Sequence, residues 1–250
     1  MTTVAIPMRL GHIWIGPRPA PTRWLDSWKR LHPNWAYRLF DNAYLTGRRW
    51  RNQRLIAHYF RKKHYEGVAD LMRYEILFEQ GGFLPGADFE ALQCCEELFS
   101  EPCTYTCYET YPKRRSKLTP YLASAPGTHT LALTIDEIHE TFAHAPETAR
   151  QPWISVGNLF LREFLQKYRD EITDLRIWPA YFFVPQHKTG PRYDGPGRIY
   201  AEHHWGSTLD KYEKPPEAEA RALHADILAK LDATEPMALT DDFPTETDPC

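Results

Sequence analysis

The stretch of sequence that decides the fold reads GVADLMRYEILFEQGGFLPGADFEAL, from Gly67 to Leu92. Its apolar residues recur at helical spacing over residues 68–79, which predicts an α-helix, and the Gly-Gly pair at 81–82 closes it like a C-cap. A short apolar run follows, which predicts a buried strand, and Asp88 comes just beyond it. In an α/β fold, a carboxylate at the carboxyl end of a strand lies where ligands bind.

The predicted helix presents two pairs of charged side chains in opposite directions. Glu75 and Glu79 share one side, which we expect to face water. Asp70 and Arg73 fall almost opposite, between apolar flanks, and a helix packed on both flanks is not expected to show a second face to bulk water. We therefore predict that Asp70 and Arg73 point into a cleft, paired with each other as a structural ion pair or with a ligand.

Upstream of this stretch the chain alternates between strand and helix patterns. RLGHIWIG (residues 9–16) predicts a buried strand, TRWLDSWKRLHP (22–33) an amphipathic helix, and WAYRLFD (35–41) a second strand. A strand, a helix and a strand within about forty residues are typical of the opening of a parallel α/β sheet. The predicted fold class is α/β, with a mostly parallel central sheet flanked by helices.

Composition limits the class of protein. The chain has 250 residues, 42% of them hydrophobic, which is enough for one sizeable core, and its formal charge of −3 excludes a generally cationic nucleic-acid coat. No apolar run approaches the ~20 residues of a membrane helix, and the start lacks the pattern of a secretory signal, so we expect a cytoplasmic protein. We predict one domain over residues 1–231 and an acidic, disordered tail over 232–250.

Most of residues 6–92 resembles glycosyltransferase family 32, sugar transferases of the GT-A fold that include initiating α-mannosyltransferases, capsule transferases and, more distantly, glucosylating clostridial toxins. The family's opening strand is matched by residues 10–16 and its His-Pro-x-Trp-x-Tyr by residues 32–37. Its helix, Ala-Asp-x-x-Arg-Tyr-x-x-Leu-x-x-x-Gly-Gly, is matched completely from Ala69 to Gly82. The resemblance implies a GT-A-like nucleotide-sugar-binding fold.

The resemblance also implies an activity. Such enzymes move a sugar from a nucleotide-sugar donor, here expected to be a UDP-sugar, to a saccharide or other hydroxyl acceptor with the anomeric configuration retained. Asp70, Arg73 and Asp88 are the implied catalytic residues, and Trp14 is expected to stack on the nucleobase. The implied donor-binding residues are Trp14, Ile15, Asp70, Arg73, Tyr74, Ala87, Asp88, Asn158, His203, Trp205 and Ser207.

The implied metal site departs from the family pattern. After Gly-Gly the family has three residues and then Asp-x-Asp, whereas this chain has Gly86-Ala87-Asp88, so the first aspartate is missing. The resemblance implies Mn²⁺ or Mg²⁺ bound by Asp88 with His204 and Ser207, helped by Glu90. Loss of the first aspartate keeps one alternative open: a nucleotide-sugar-binding module with weak or no catalysis.

A second alternative concerns the acceptor. Residues 1–120 carry 18 Lys or Arg against 12 Asp or Glu, with basic clusters at residues 48–63 and at Lys113-Arg114-Arg115. A solvated helix face explains such a cluster most simply. A surface that holds hydroxymethylated-pyrimidine DNA as acceptor, as in phage-type DNA glycosyltransferases, explains it as well.

The cysteines offer a third alternative, a thiol or metal protein. Cys103 and Cys107 are four residues apart, and Cys94 and Cys95 are adjacent, but neither pair has the matching second couple typical of a zinc site. We therefore predict structural thiols.

Overall fold

The computed structural model describes residues 4–110 and 117–237. Within these ranges the strands are β1 (Arg9–Ile13), β2 (Ala36–Phe40), β3 (Gly82–Phe83), β4 (Phe89–Ala91), β5 (Thr104–Cys107), β6 (Ala123–Ser124), β7 (Leu175–Trp178) and β8 (Ala201–His203). The α-helices are α1 (Thr22–Leu31), α2 (Asn42–Thr46), α3 (Gln53–Arg61), α4 (Tyr65–Gln80), α5 (His129–Phe142), α6 (Pro152–Ser155), α7 (Asn158–Lys167) and α8 (Glu217–Ala233). Short 3₁₀ turns occur at Glu96–Leu98, Pro146–Thr148 and Ala180–Phe182.

The central sheet has six strands in the order β2-β1-β3-β6-β5-β7. β1 pairs in parallel with β2 and β3, and β5 pairs in parallel with β7, whereas β6 is antiparallel to both of its neighbours. The predicted α/β class, with a mostly parallel central sheet flanked by helices, is confirmed. Because β1, β3 and β5 share one direction, the segments that follow them meet at the same edge of the sheet.

Helices cover both faces of this sheet. Leu10 and Ile13, three residues apart on β1, belong to two different buried clusters, as the alternation of side chains along a strand requires. The cluster around Ile13 packs α3, α4, α5 and α8, and the cluster around Leu10 packs α1 with the small antiparallel sheet of β4 and β8. The predicted end of α4 is also found, since Gly81 takes φ +64° as its C-cap.

The prediction that Glu75 and Glu79 of α4 face water is wrong. Glu75 is fully buried and accepts the backbone N–H groups of Arg51 and Asn52 at 2.9 and 3.2 Å. Glu79 is buried as well and forms a two-pronged ion pair with Arg48, one contact of which measures 2.6 Å. Burial raises the pKa of Glu75 to about 7, against the lowering effect of the backbone donors. Helix α4 is therefore enclosed on that side too. Within the 48–63 cluster, the side chain of Arg51 is buried and that of Arg48 is mostly buried.

The described chain continues past the predicted domain end at residue 231. Helix α8 runs to Ala233, and Met237 is buried with its N–H donated to the carbonyl of Trp50 at 3.1 Å. Residues 238–250, the rest of the predicted tail, lie outside the described residues, as does the basic triplet 113–115. Across residues 4–110 and 117–237, none of the helices combines the length and the hydropathy needed to cross a bilayer. The four cysteines at 94, 95, 103 and 107 are free thiols.

Candidate functional site

A cavity of about 950 Å³ opens at the edge of the sheet where β1, β3 and β5 end. This volume lies near the upper limit of the ~300–1,000 Å³ usual for ligand pockets. The segments after β1, β3 and β8 line the cavity together with one side of α4. The sequence-predicted site residues that line it are Trp14, Ile15, Asp70, Arg73, Ala87, Asp88, Asn158, His203, Trp205 and Ser207.

Asp70 is a partly buried carboxylate at the base of the cavity. Its side chain makes no hydrogen bond or ion pair with any residue that the structure describes, so the predicted direct pair with Arg73 is absent there. Burial raises the pKa of Asp70 to about 7, although the nearby Arg73 charge lowers it. Gly157 leaves room for this carboxylate, because a Cβ at that position would stand 3.1 Å from Oδ2. Asp70 is therefore an unpaired acceptor for hydrogen-bond donors of a ligand.

Arg73 is almost fully buried, and its two terminal nitrogens differ in their contacts. Its Nη1 donates to the backbone carbonyl of Leu84, just after β3, and lies 3.5 Å from that of Tyr121, just before β6. Its Nε is buried without a partner, and its Nη2 has no hydrogen bond among residues 4–110 and 117–237. Burial lowers the pKa of the guanidinium. One prong thus ties two sheet segments together while the other is available to an anionic or hydroxylated ligand.

Asp88 is clasped by the segment that follows β8. Its Oδ2 accepts the N–H of Gly206 at 2.9 Å and lies 3.2 Å from Nε2 of His203. Burial alone would raise the pKa of Asp88, but the charge and hydrogen bond of His203 and the Gly206 N–H outweigh it and lower the pKa. Asp88 is therefore an ionised carboxylate with a fixed orientation.

Two predicted site residues do not reach the cavity. Tyr74 is fully buried in the core and donates its hydroxyl to the carbonyl of Val156 at 2.6 Å. His204 bonds to Oε2 of Glu90 at 2.7 Å and stacks on Trp24, with the planes 7° from parallel. Successive residues leaving a strand point to opposite sides, so His203 meets Asp88 while His204 turns away.

These positions correct three expectations from the sequence. Tyr74 has no access to a donor molecule. Neither His204 nor Glu90 can join Asp88 around a cation, because they bond to each other outside the cavity. Among the described residues, no group of three or more His, Cys, Asp or Glu side chains could hold a metal ion. Of the residues predicted to bind the metal, Asp88 and Ser207 line the cavity.

Gly86, where the first aspartate is missing, has little space for a side chain. A Cβ at Gly86 would lie 2.5 Å from the ring edge of Phe89. Phe89 is buried and opposes His203 in the pairing of β4 with β8. A side chain at position 86 therefore conflicts with the contacts that orient Asp88.

Sequence reasoning missed several cavity-lining residues, of which Tyr212 is the most central. Its ring packs edge-on against Trp14, with centroids 4.7 Å apart, and burial followed by the Asp88 charge raises its pKa. Trp14 is fixed further by its indole N–H, which donates to the carbonyl of Arg18 at 2.7 Å. Tyr212 is an aromatic residue a short distance after Trp205, and this position was the signal that the sequence offered. Two further residues, Glu109 and Trp153, lie beyond the part of the sequence that carries the family resemblance.

Comparison with known proteins places this architecture. No family model and no curated protein matches the sequence. A solved structure, the PaToxG glycosyltransferase, superposes with a TM-score of 0.53 over 66% of this chain and 70% of that chain, at 11% identity. The chain has a glycosyltransferase fold. The likeness at this identity concerns the fold and does not extend to family 32 in particular.

Proposed function

We propose that this chain is a glycosyltransferase that moves a sugar from a nucleotide-sugar donor, a UDP-sugar, to a hydroxyl acceptor with retention of the anomeric configuration. The observation that carries the proposal is the convergence of Asp70, Arg73 and Asp88 on one cavity at the carboxyl edge of a glycosyltransferase fold. Fold alone does not determine function, so the argument rests on these side chains.

Each side chain has a role that its surroundings support. The nucleobase lies against Trp14 and Ile15 at the end of β1, where the indole is held by two contacts. The unpaired carboxylate of Asp70 accepts hydrogen bonds from hydroxyls of the donor. The Nη2 of Arg73 donates to an oxygen of the sugar or of the phosphates, in a site where burial strengthens each charge-assisted bond.

The residues present fit a divalent cation that arrives with the nucleotide. Mg²⁺ sites usually combine one or two carboxylates with substrate phosphate oxygens, and Asp88 and Ser207 supply protein oxygens of this type. Mn²⁺ or Mg²⁺ bound there would neutralise charge on the departing diphosphate. With one protein carboxylate, we expect weak metal binding to the free chain and stronger binding once a nucleoside diphosphate is present.

The reaction itself exchanges one bond for another. The bond between the anomeric carbon and the diphosphate oxygen breaks, and its electron pair leaves with the nucleoside diphosphate. The acceptor oxygen bonds to the anomeric carbon, and its proton passes to the departing diphosphate. Trp205 and Ser207, carried by the segment that clasps Asp88, line the same part of the cavity and exclude water from the leaving group.

Gly86 favours a second candidate function, a nucleotide-sugar-binding module without catalysis. The first aspartate of the family pattern is absent at this position, and Phe89 occupies the space that its side chain would need.

A panel of nucleotide sugars in a thermal-shift assay, with and without Mn²⁺, tests both candidates. A transferase binds at least one donor in a metal-dependent way and then releases nucleoside diphosphate when an acceptor is added. Tight binding without release supports the module, and no binding by any donor contradicts both.

A further inference from the structure

Five carboxylates line the cavity, and most already have partners. Glu66 pairs with His64, Glu217 pairs with Arg221, and Asp88 is held by His203 and Gly206. The exceptions are Asp70 and Glu109, whose carboxylates have no hydrogen bond or ion pair within the described parts of the chain. In the proposed function Asp70 accepts hydrogen bonds from the donor, whereas Glu109 has no role in donor binding.

Sheet topology fixes the position of Glu109 relative to the donor. Glu109 follows β5, and Asp88 follows β3, at the same edge of the sheet with β6 between them. Adjacent strands lie about 4.8 Å apart, so two spacings separate the two segments by roughly 10 Å. Trp14 follows β1, on the far side of β3. The edge therefore runs from the nucleobase end, past the diphosphate, to Glu109.

The segment that precedes β6 lies between the segments that carry Asp88 and Glu109. Because β6 runs against its neighbours, this segment lies at the same edge, and it lines the cavity through Thr119, Pro120 and Leu122, two of which are apolar. Trp153, also a lining residue, leaves 44% of its surface exposed. An exposed indole, together with a carboxylate that has no partner among the described residues, lines one cavity, and this combination suits a sugar ring, which has an apolar C–H face and hydroxyl donors.

Charges near Glu109 are mixed. The carbonyl of Lys117 accepts the Glu109 N–H at 3.0 Å, and the ammonium of Lys117 lies 4.3 Å from the centroid of the Trp153 ring. Burial lowers the pKa of His187; the charge of Glu109 raises it, and those of Lys188 and Lys117 lower it further. The His187 ring packs against Trp205. Glu109 lines the cavity, where a carboxylate attracts hydroxyl donors and repels phosphates.

We propose that the Glu109 end of the cavity is the acceptor subsite, and that the acceptor is a neutral pyranoside. One of its hydroxyls donates to the Glu109 carboxylate, and its apolar face lies on Trp153. The inference rests on the proposed transferase function and deepens it, since it names the acceptor class and two residues that select it. A polyanionic acceptor such as DNA would bring phosphates towards an unpaired carboxylate.

The test compares Glu109→Gln with Glu140→Gln, a matched change at an exposed residue of α5 outside the cavity. The probes are the donor found by the nucleotide-sugar panel and, as acceptors, methyl glucoside, galactoside and mannoside, with hydroxymethylcytosine duplex DNA as a separate arm. Loss of a hydrogen bond to a charged group corresponds to a roughly tenfold effect or more. We expect Glu109→Gln to raise the acceptor KM at least tenfold and the donor KM less than twofold.

Substitutions of Trp153 test the proposed acceptor subsite independently. Trp153→Ala is expected to raise the acceptor KM by a similar factor, and Trp153→Phe to restore most of it, because a phenyl ring keeps a stacking face. An acceptor KM for Glu109→Gln within twofold of Glu140→Gln overturns the inference, and so does transfer to DNA with none to the pyranosides. If the unmodified chain binds no donor, the proposed function fails and the inference with it.

Discussion

The phenyl ring of Phe89 lies flat against the imidazole of His203, with centroids 4.4 Å apart and planes 13° from parallel. The same imidazole contacts Asp88 at 3.2 Å, so the stack determines where the carboxylate points. The stack also uses the space next to Gly86, where a Cβ would approach the phenyl ring to 2.5 Å. The absence of the first aspartate and the orientation of the second are therefore parts of one packing arrangement.

Restoring the family aspartate is expected to harm the site. Gly86→Asp forces Phe89 and His203 apart, so we expect a loss of stability of about 1–3 kcal/mol from overpacking and weaker metal-dependent nucleotide binding. Urea unfolding and calorimetric titration with UDP and Mn²⁺ measure the two effects. Gly86→Ala separates the Cβ from the charge and is expected to cause most of the same loss. Stronger metal binding in Gly86→Asp would contradict this account.

Asp88 and His204 give a matched pair of substitutions for the cation site. Asp88→Ala is expected to abolish the Mn²⁺-dependent part of nucleotide binding and to abolish transfer, because it removes the carboxylate that the proposed function assigns to the ion. His204→Gln is expected to change that binding less than twofold, since His204 bonds to Glu90 outside the cavity. Titration with UDP in the presence of Mn²⁺ or of EDTA measures both. Equal losses of Mn²⁺-dependent nucleotide binding in the two variants would show that His204 belongs to the cation site.

The buried carboxyl group of Asp70 makes the stability of the fold depend on pH. Its pKa is raised to about 7, so the folded chain keeps this proton in a range where the unfolded chain has lost it. Ionisation of Asp70 therefore lowers stability as pH rises from about 4 to 7. We expect Asp70→Asn to be more stable than the unmodified chain at pH 8 and equally stable near pH 4, by urea unfolding. Glu75 titrates in the same window in both proteins, so the difference between them isolates Asp70.

The same Asp70→Asn variant should bind the donor more weakly, by roughly tenfold, because an amide is a poorer acceptor than a carboxylate. A gain in stability at pH 8 together with a loss of affinity is typical of a residue kept for binding. A variant that loses both would instead point to a structural role for Asp70.

Arg73 is expected to affect both folding and binding. Arg73→Lys loses the guanidinium whose Nη1 reaches Leu84 and Tyr121, and we expect a loss of about 2–3 kcal/mol in the free energy of unfolding as well as weaker nucleotide binding. Tyr74→Phe on the same helix is the control: it loses one hydrogen bond, worth about 1 kcal/mol, and leaves nucleotide affinity unchanged. Unfolding curves and titration of UDP report the two quantities separately.

Local patterns predicted the elements that carry the site, but not their surroundings. The strand of residues 9–13, helix α4 and its glycine C-cap follow from spacing within the sequence. The burial of Glu79 depends on Arg48, 31 residues away, and no local pattern reports such a contact. The choice between His203 and His204 depends on the register of β4 with β8, which pairs Phe89 with His203. A shift of one residue would exchange the two histidines.

Glu109 and Trp153 illustrate a different limit. Their importance depends on which strands are neighbours, and the order β3-β6-β5 brings together segments that the sequence separates. A carboxylate after one strand becomes informative only when the strand order places it beside another such carboxylate.

The reversed direction of β6 has a consequence for the chemistry of the site. A strand parallel to β3 and β5 would deliver its following loop, with that loop's own polar groups, into the middle of the edge. The reversed strand brings the preceding residues Thr119, Pro120 and Leu122 there instead, so in the proposed function the donor and acceptor subsites are separated by a mainly apolar spacer about as wide as two strands. Shortening or lengthening this spacer would change which hydroxyl of an acceptor comes within reach of the anomeric carbon, and would thereby set the linkage that the product carries.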